Sequence, residues 1–325
     1  NYPLPANSYI LENVSSKGRP KFVNITQKVA PILDKLGMVT DAIWSDYDND
    51  GWTDLIVIGE WMPITILKNK KGFFHDVTRD LGLDKSTGWW FSINEGDFDN
   101  DGDMDYIVGN LGLNYKYKAD KDETFDIYFN DFDQNLTNDI VLSYYNNGKK
   151  YPLRGRECSS QQIPSIKKKF KDYSSFSTAT LIEVYSEEYL SKSLHYQIRS
   201  FASIYLQNTG KGFAIKQLHN LAQVSSINQI LVDDFDGDFC LDALVAGNLY
   251  SSEVETPRND ASIGLLLKGD GKGNLLPVEG YKSGFFAPGD VKDMGVLNYQ
   301  GANYVVVVKN DGYVQLIKQN KIEKK

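Results

Sequence analysis

The chain is poor in the residues that carry most catalysis and cross-linking. Two cysteines, Cys158 and Cys240, stand far apart in 325 residues, which supports neither a disulfide framework nor a zinc site. Three histidines, His75, His195 and His219, lack metal-ligand or triad spacing. No apolar run approaches the roughly 20 residues of a membrane-spanning helix, and Asn1–Pro5 has neither a basic flank nor an apolar h-region, so no signal peptide is read there. Positive charge is also in deficit: 35 basic against 43 acidic residues give −8, which argues against nucleic acid as a partner. Hydrophobic residues at 41% and charged residues at 24% nevertheless describe an ordinary folded composition.

The acids that are present are concentrated in four short segments. These are Asp46-Tyr-Asp48-Asn-Asp50-Gly51-Trp52-Thr-Asp54, Asp97-Phe-Asp99-Asn-Asp101-Gly102-Asp103-Met-Asp105, Asp131-Phe-Asp133-Gln-Asn135-Leu136-Thr-Asn-Asp139 and Asp234-Phe-Asp236-Gly-Asp238-Phe239-Cys-Leu-Asp242. Each places side-chain oxygens at positions 1, 3, 5 and 9 and an aromatic ring at position 2. Carboxylates packed this densely repel one another unless a cation sits among them. Position 7 (Trp52 or Asp103 in the first two loops) adds a backbone carbonyl, so each loop offers the six or more oxygens that Ca²⁺ prefers, whereas Mg²⁺ keeps several waters. Glycine at position 6 in the first two loops suits a sharp turn; Leu136 and Phe239 replace it in the others. The expectation is two calcium sites, and up to four. Four divalent ions would cancel the formal charge.

EF-hands are excluded. Position 12 is Val57, Val108, Leu142 or Val245 where a bidentate Glu is needed, and the residues after each loop form short β-branched runs such as Leu55-Ile-Val-Ile58. The loops therefore join strands. Hairpins recur after them at Ile66–Thr78, Tyr205–Phe213 and Leu266–Leu275, which makes a unit of four antiparallel strands the size of a propeller blade. The predicted fold is all-β, a β-propeller of four-stranded antiparallel blades with a small helical insertion. The whole of 1–325 is read as one propeller region, with half a blade at 1–26 and blades at 38–78, 90–130, 126–218 and 228–279. The 126–218 blade is interrupted by a helical insertion at 157–200, and a degenerate blade without an acidic loop spans 290–318. The opening half-blade implies that inner strands are supplied by an upstream segment or a partner chain, making this the C-terminal part of a longer protein; the alternative is that the last blade borrows the N-terminal pair.

The acidic loop followed by an apolar strand resembles the FG-GAP/VCBS repeat, also found in integrin α-subunit propellers. Gly59-Glu-Trp-Met-Pro63, Thr87-Gly-Trp-Trp90, Val108-Gly-Asn-Leu-Gly-Leu-Asn114, Val232–Asp236 and Gly264–Gly271 are similar to the C-terminal propeller region of large bacterial surface proteins with VCBS repeats. The resemblance implies an extracellular or cell-surface location, outer-membrane associated in a bacterium. It also implies a calcium-binding scaffold or binding module with a protein or glycan partner.

The competing reading is a calcium-dependent polysaccharide lyase or hydrolase. It needs a paired acid and base, or an Arg or Lys beside the cation, facing a cleft; most carboxylates are committed to the loops, and Glu60, Glu95, Glu253 and Glu255 outside them form no catalytic signature. The expectation is therefore no enzyme and no catalytic residue. Trp61, Trp89, Trp90, Tyr115 and Tyr117, the basic run Lys167-Lys168-Lys169-Lys171 and the loop Ser251–Asp260 with Arg258 remain as surface candidates. Packing between blades for the aromatics, and a solvated helix face for the lysines, are the readings favoured.

Overall fold

The computed structural model describes residues 2–252 and 256–320. The described chain falls into two compact units: Tyr117–Ser200, and the segments that flank it, Tyr2–Lys116 and Phe201 onward. Both are built on antiparallel sheets, and the helices are few and short.

In the flanking unit the first sheet runs in chain order through Met38–Ser45, Asp54–Met62, Thr65–Lys70 and Phe73–Asp76. The second joins Ser92–Gly96 and Asp105–Gly109 to Ile204–Asn208 and Phe213–Gln217. The third holds Gln229–Asp233, Asp242–Ala246, Leu265–Gly269 and Leu275–Val278. A three-stranded sheet, Val291–Tyr299, Ala302–Lys309 and Gln315–Lys318, follows. Leu11–Asn13 pairs with Phe22–Asn24 as a separate two-stranded ribbon.

The period-2 geometry of a strand explains how the middle sheet contributes to two cores, one on each face. Tyr106 and Val108 join Ile56, Ile58, Ile64 and Ile66 of the first sheet, while Ile107 between them packs with Ile230, Ala243 and Val245 of the third. Strands sandwiched in this way are buried on both faces, which is why they read as unbroken apolar runs. Fully burying each such aliphatic chain contributes about 1.5–3 kcal/mol. Gly59, within Asp54–Met62, and Gly109, at the end of Asp105–Gly109, sit where a Cβ would come within 2.2 Å of the carbonyl oxygens of Met38 and Ile227 respectively.

The first strands of successive sheets run beside one another: Met38–Ser45 by Ser92–Gly96, that by Gln229–Asp233, and that by Val291–Tyr299. Side chains tie them together. Asp41 Oδ2 accepts from Ile93 N at 3.0 Å, Asn94 Nδ2 donates to Ile230 O at 2.9 Å, and Asn228 Nδ2 donates to Val291 O at 2.8 Å.

The Tyr117–Ser200 unit has its own sheet in the order Lys149–Pro152, Asp139–Asn146, Phe125–Asn130, Leu194–Ile198. Five short helices, from Arg156–Gln162 to Glu187–Ser191, lie in sequence between Lys149–Pro152 and Leu194–Ile198. Asp172 caps one through Ser175 N at 2.7 Å, and Thr180 with Glu183 forms a capping box on another. Ile163, Ile166, Phe170, Leu181, Val184 and Leu190 pack with Tyr128, Phe132 and Val141 into a core of their own.

Two of the predicted boundaries do not survive this pairing. The 90–130 and 126–218 divisions assign the hairpin at 204–217 to the sheet that contains the helices. Instead Ile204 pairs with Val108 and Leu206 with Tyr106, so this hairpin completes the second sheet. Leu194–Ile198 pairs on Phe125–Asn130 and fills the fourth place in the inserted sheet. What interrupts the second sheet is therefore a sheet with its helices, not helices alone.

Candidate metal loops

Each acidic segment leaves one strand and enters the next: strands end at Ser45, Gly96, Asn130 and Asp233 and resume at Asp54, Asp105, Asp139 and Asp242. Strands, not helices, flank all four loops.

Inside the loops one hydrogen-bond scheme repeats. The position 1 carboxylate accepts from the backbone N–H of positions 5 and 6. In loop 1 Asp46 takes Asp50 N at 3.0 Å and Gly51 N at 2.8 Å. In loop 2 Asp97 takes Asp101 N and Gly102 N, both at 3.1 Å. In loop 3 Asp131 takes Asn135 N at 3.0 Å and Leu136 N at 2.8 Å. In loop 4 Asp234 takes Asp238 N at 3.1 Å and Phe239 N at 3.0 Å. Position 5 then accepts from position 7, as Asp50 does from Trp52 N, Asp101 from Asp103 N, Asn135 from Thr137 N and Asp238 from Cys240 N. The side chain of position 9 accepts from position 2 at 3.1–3.3 Å throughout.

The missing glycines do not change the turn. Leu136 and Phe239 both take φ +70° in the place of Gly51 at +84° and Gly102 at +93°. Their side chains are 97% and 81% exposed, so the cost is backbone strain alone. Sequence reasoning treated these residues as obstacles; the hydrogen bonds of Asp131 and Asp234 hold the turn without glycine.

The scheme brings carboxylate oxygens together. Asp46, Asp48 and Asp50 lie within 4.8 Å of one another, as do Asp97, Asp99 and Asp101, then Asp131, Asp133 and Asp139, and Asp234, Asp236 and Asp242. These four acidic groups have the geometry to hold metal ions. Trp52 and Asp103 stand at position 7, with the Trp52 ring exposed. Position 9 lies deeper, and burial pushes the carboxyls of Asp54, Asp105 and Asp139 up to about 6 and raises that of Asp242. In the flanking unit the second oxygen of position 9 accepts from the third strand: Asn69 N at 2.7 Å to Asp54, Asn208 N at 2.8 Å to Asp105, and Gly269 N at 2.9 Å to Asp242. Tyr205 OH adds a 2.6 Å bond to Asp105.

Three site residues carry no acidic signature and escape the sequence reading. Lys68 pairs with Asp48 and, at 3.0 Å, with Asp50. Lys268 pairs with Asp236 and, at 2.8 Å, with Asp238. Gln207 Nε2 donates to Asp99 Oδ2 at 2.5 Å. Their signal is positional: Leu67-Lys68-Asn69, Leu206-Gln207-Asn208 and Leu267-Lys268-Gly269 each place them just before the donor to position 9. Lys68 holds Asp50 below the ordinary carboxylate range, as Lys268 does Asp238.

The remaining candidates resolve differently. Trp61, Trp90 and Tyr117 are buried, Trp89 and Tyr115 partly so. Lys167 pairs with Glu157 at 2.8 Å. Burial raises the carboxyl of Glu60, against the opposing influence of Trp89 and Tyr2. Glu253 and Glu255 lie outside the described residues.

Comparison with known proteins bears on the first two loops directly. Residues 46–108 match the family model of an FG-GAP-like repeat, a stretch that contains both. None of the curated proteins compared with the chain matches it. Among solved structures, the biofilm matrix protein Bap1 of V. cholerae is similar at 10% identity over 95% of this chain and 66% of that one, with a TM-score of 0.28. A likeness that weak carries no argument about fold or role. Among the described residues no helix is long and apolar enough to cross a membrane.

Proposed function

We propose that this chain is a non-catalytic calcium-binding module, its sheets the blades of a propeller, serving outside the cytoplasm as a scaffold or binding surface for a protein or glycan partner. One observation carries the calcium reading. The same loop recurs four times with the same internal hydrogen bonds, and at position 3 Asp99 Oδ1 and Asp133 Oδ1 are buried with no hydrogen-bond partner. A buried carboxylate oxygen left unpaired is costly, and a cation among the neighbouring oxygens removes that cost.

The donor set fits a hard ion. Positions 1, 3, 5 and 9 offer Asp46, Asp48, Asp50 and Asp54; Asp97, Asp99, Asp101 and Asp105; Asp131, Asp133, Asn135 and Asp139; and Asp234, Asp236, Asp238 and Asp242. Backbone carbonyls at position 7 complete an all-oxygen shell of the kind Ca²⁺ takes, without the thiolate or imidazole that softer metals select. Such an ion supplies positive charge, holding the strand-to-strand turn closed. Millimolar calcium outside a cell keeps even modest sites filled.

The propeller reading is supported by the adjacent first strands and the side chains that bridge them, the arrangement that inner strands of neighbouring blades require. The resemblance of residues 46–108 to the FG-GAP-like repeat supports both halves of the proposal.

Melting of the chelator-stripped chain against the calcium-loaded chain tests the proposal. Loading is expected to raise the midpoint by several degrees. Coincident melting curves, with no calcium in the purified protein by elemental analysis, would overturn it.

A further inference from the structure

We infer that Lys68 and Lys268 are built-in competitors of the bound cation, so that loop 2, where Gln207 takes their place, is the tightest site of the flanking unit. The inference rests on the calcium reading above and ranks the sites within it.

The three residues are structural equivalents. Each sits on the third strand of its sheet, one place before the residue whose N–H donates to the position 9 carboxylate. That bond fixes the strand against the loop and directs the preceding side chain to the position 3 carboxylate. The lysines go further. Both ammonium groups bridge positions 3 and 5, two of the oxygens the loop offers a divalent ion. Gln207 touches position 3 alone, carries no charge, and leaves Asp99 Oδ1 unpartnered.

Charge sharpens the contrast. Loops 1 and 4 each hold four aspartates and one ammonium, whereas loop 2 holds five aspartates against a neutral amide. An ion entering loop 1 or 4 must either displace the lysine, breaking two ion pairs, or remain beside a like charge. Displacement is feasible, because a lysine stem can swing its head to solvent; the Lys268 side chain is already 41% exposed. Both routes weaken the site. The lysine in turn partly neutralises the loop when calcium is scarce. The flanking unit then fills in order, loop 2 first, with loops 1 and 4 closing at higher calcium.

The test uses the full chain, calcium titrated by calorimetry, and terbium luminescence sensitised by Trp52, which lies within loop 1. Lys68→Gln should tighten the loop 1 terbium midpoint about tenfold or more, and Lys268→Gln should tighten one of the weak calcium isotherms similarly. Gln207→Lys should weaken the tightest isotherm by a comparable factor, and Lys68→Arg should leave loop 1 weak. In calcium-free buffer Lys68→Gln should melt earlier than the parent, a difference that calcium abolishes. If calcium binds but Lys68→Gln and Lys268→Gln stay within about twofold of the parent or bind more weakly, the lysines are props, not competitors. If neither parent nor variants bind calcium, the functional reading fails together with the ranking.

Discussion

The sheet that begins at Met38 and the sheet that begins at Phe125 carry the same nine-residue loop between their first two strands, yet they surround it differently. In the first, the third strand Thr65–Lys70 reaches the level of the loop and brings Lys68 and Asn69 to it. In the second, Lys149–Pro152 ends opposite Ser143, four residues short of Asp139. The fourth strands differ as well: Phe73–Asp76 lies outside the third strand, whereas Leu194–Ile198 lies across the first. Asp41 and Asp126 occupy the same place, five residues before each loop. Asp41 accepts from Ile93 N of the next sheet. Asp126 is enclosed by His195 Nε2 at 2.6 Å, Lys150 Nζ at 3.0 Å and Thr124 Oγ1 at 2.8 Å. The loop is thus self-contained, since its internal hydrogen bonds are unchanged, and the strand around it decides which charges it meets.

The largest expected effect breaks the comparison at its buried charge. Asp126→Ala strands Lys150, and should destabilise the inserted unit by about 3–5 kcal/mol. Asp41→Ala removes two backbone hydrogen bonds, from Ile93 N and Ala42 N, and should cost about 1–3 kcal/mol. Hydrogen exchange at Phe125–Asn130 and Met38–Ser45 reads the two separately, and equal losses would contradict the contrast. Next in size, each unit should answer to its own loop. Asp131→Ala should remove calcium protection within 117–200, and Asp97→Ala within the flanking segments, about 2–4 kcal/mol at saturating calcium. Calcium-dependent exchange lost from both units in both variants would break that separation. The smallest effect concerns the turn: Leu136→Gly and Phe239→Gly should each stabilise by about 1 kcal/mol, while Gly51→Ala should cost about 1–2 kcal/mol, by denaturant titration.

Much of this was legible in the sequence because it is local. The spacing of Asp46, Asp48, Asp50 and Asp54 defines the loop by itself, and Leu55–Ile58 declares a strand through its β-branched run. Long-range pairing was not legible. The hairpin at 204–217 has a pattern that suits either sheet, and only the register of Ile204 on Val108 assigns it across the inserted segment. Lys68 and Lys268 were hidden for a related reason: a lysine on a strand reads as a solvent-facing residue until the third strand is placed beside the loop. Leu136 and Phe239 misled in the other direction, since a propensity for glycine is a preference of about 1–2 kcal/mol and the loop's hydrogen bonds outweigh it.

The most direct measurement is an anomalous difference map from crystals of the full chain grown in millimolar calcium. The account predicts a peak inside each loop, ringed by oxygens of positions 1, 3, 5, 7 and 9, with the ammonium groups of Lys68 and Lys268 no longer bridging positions 3 and 5. Loops containing only water, with both lysines still bridging positions 3 and 5, would contradict it.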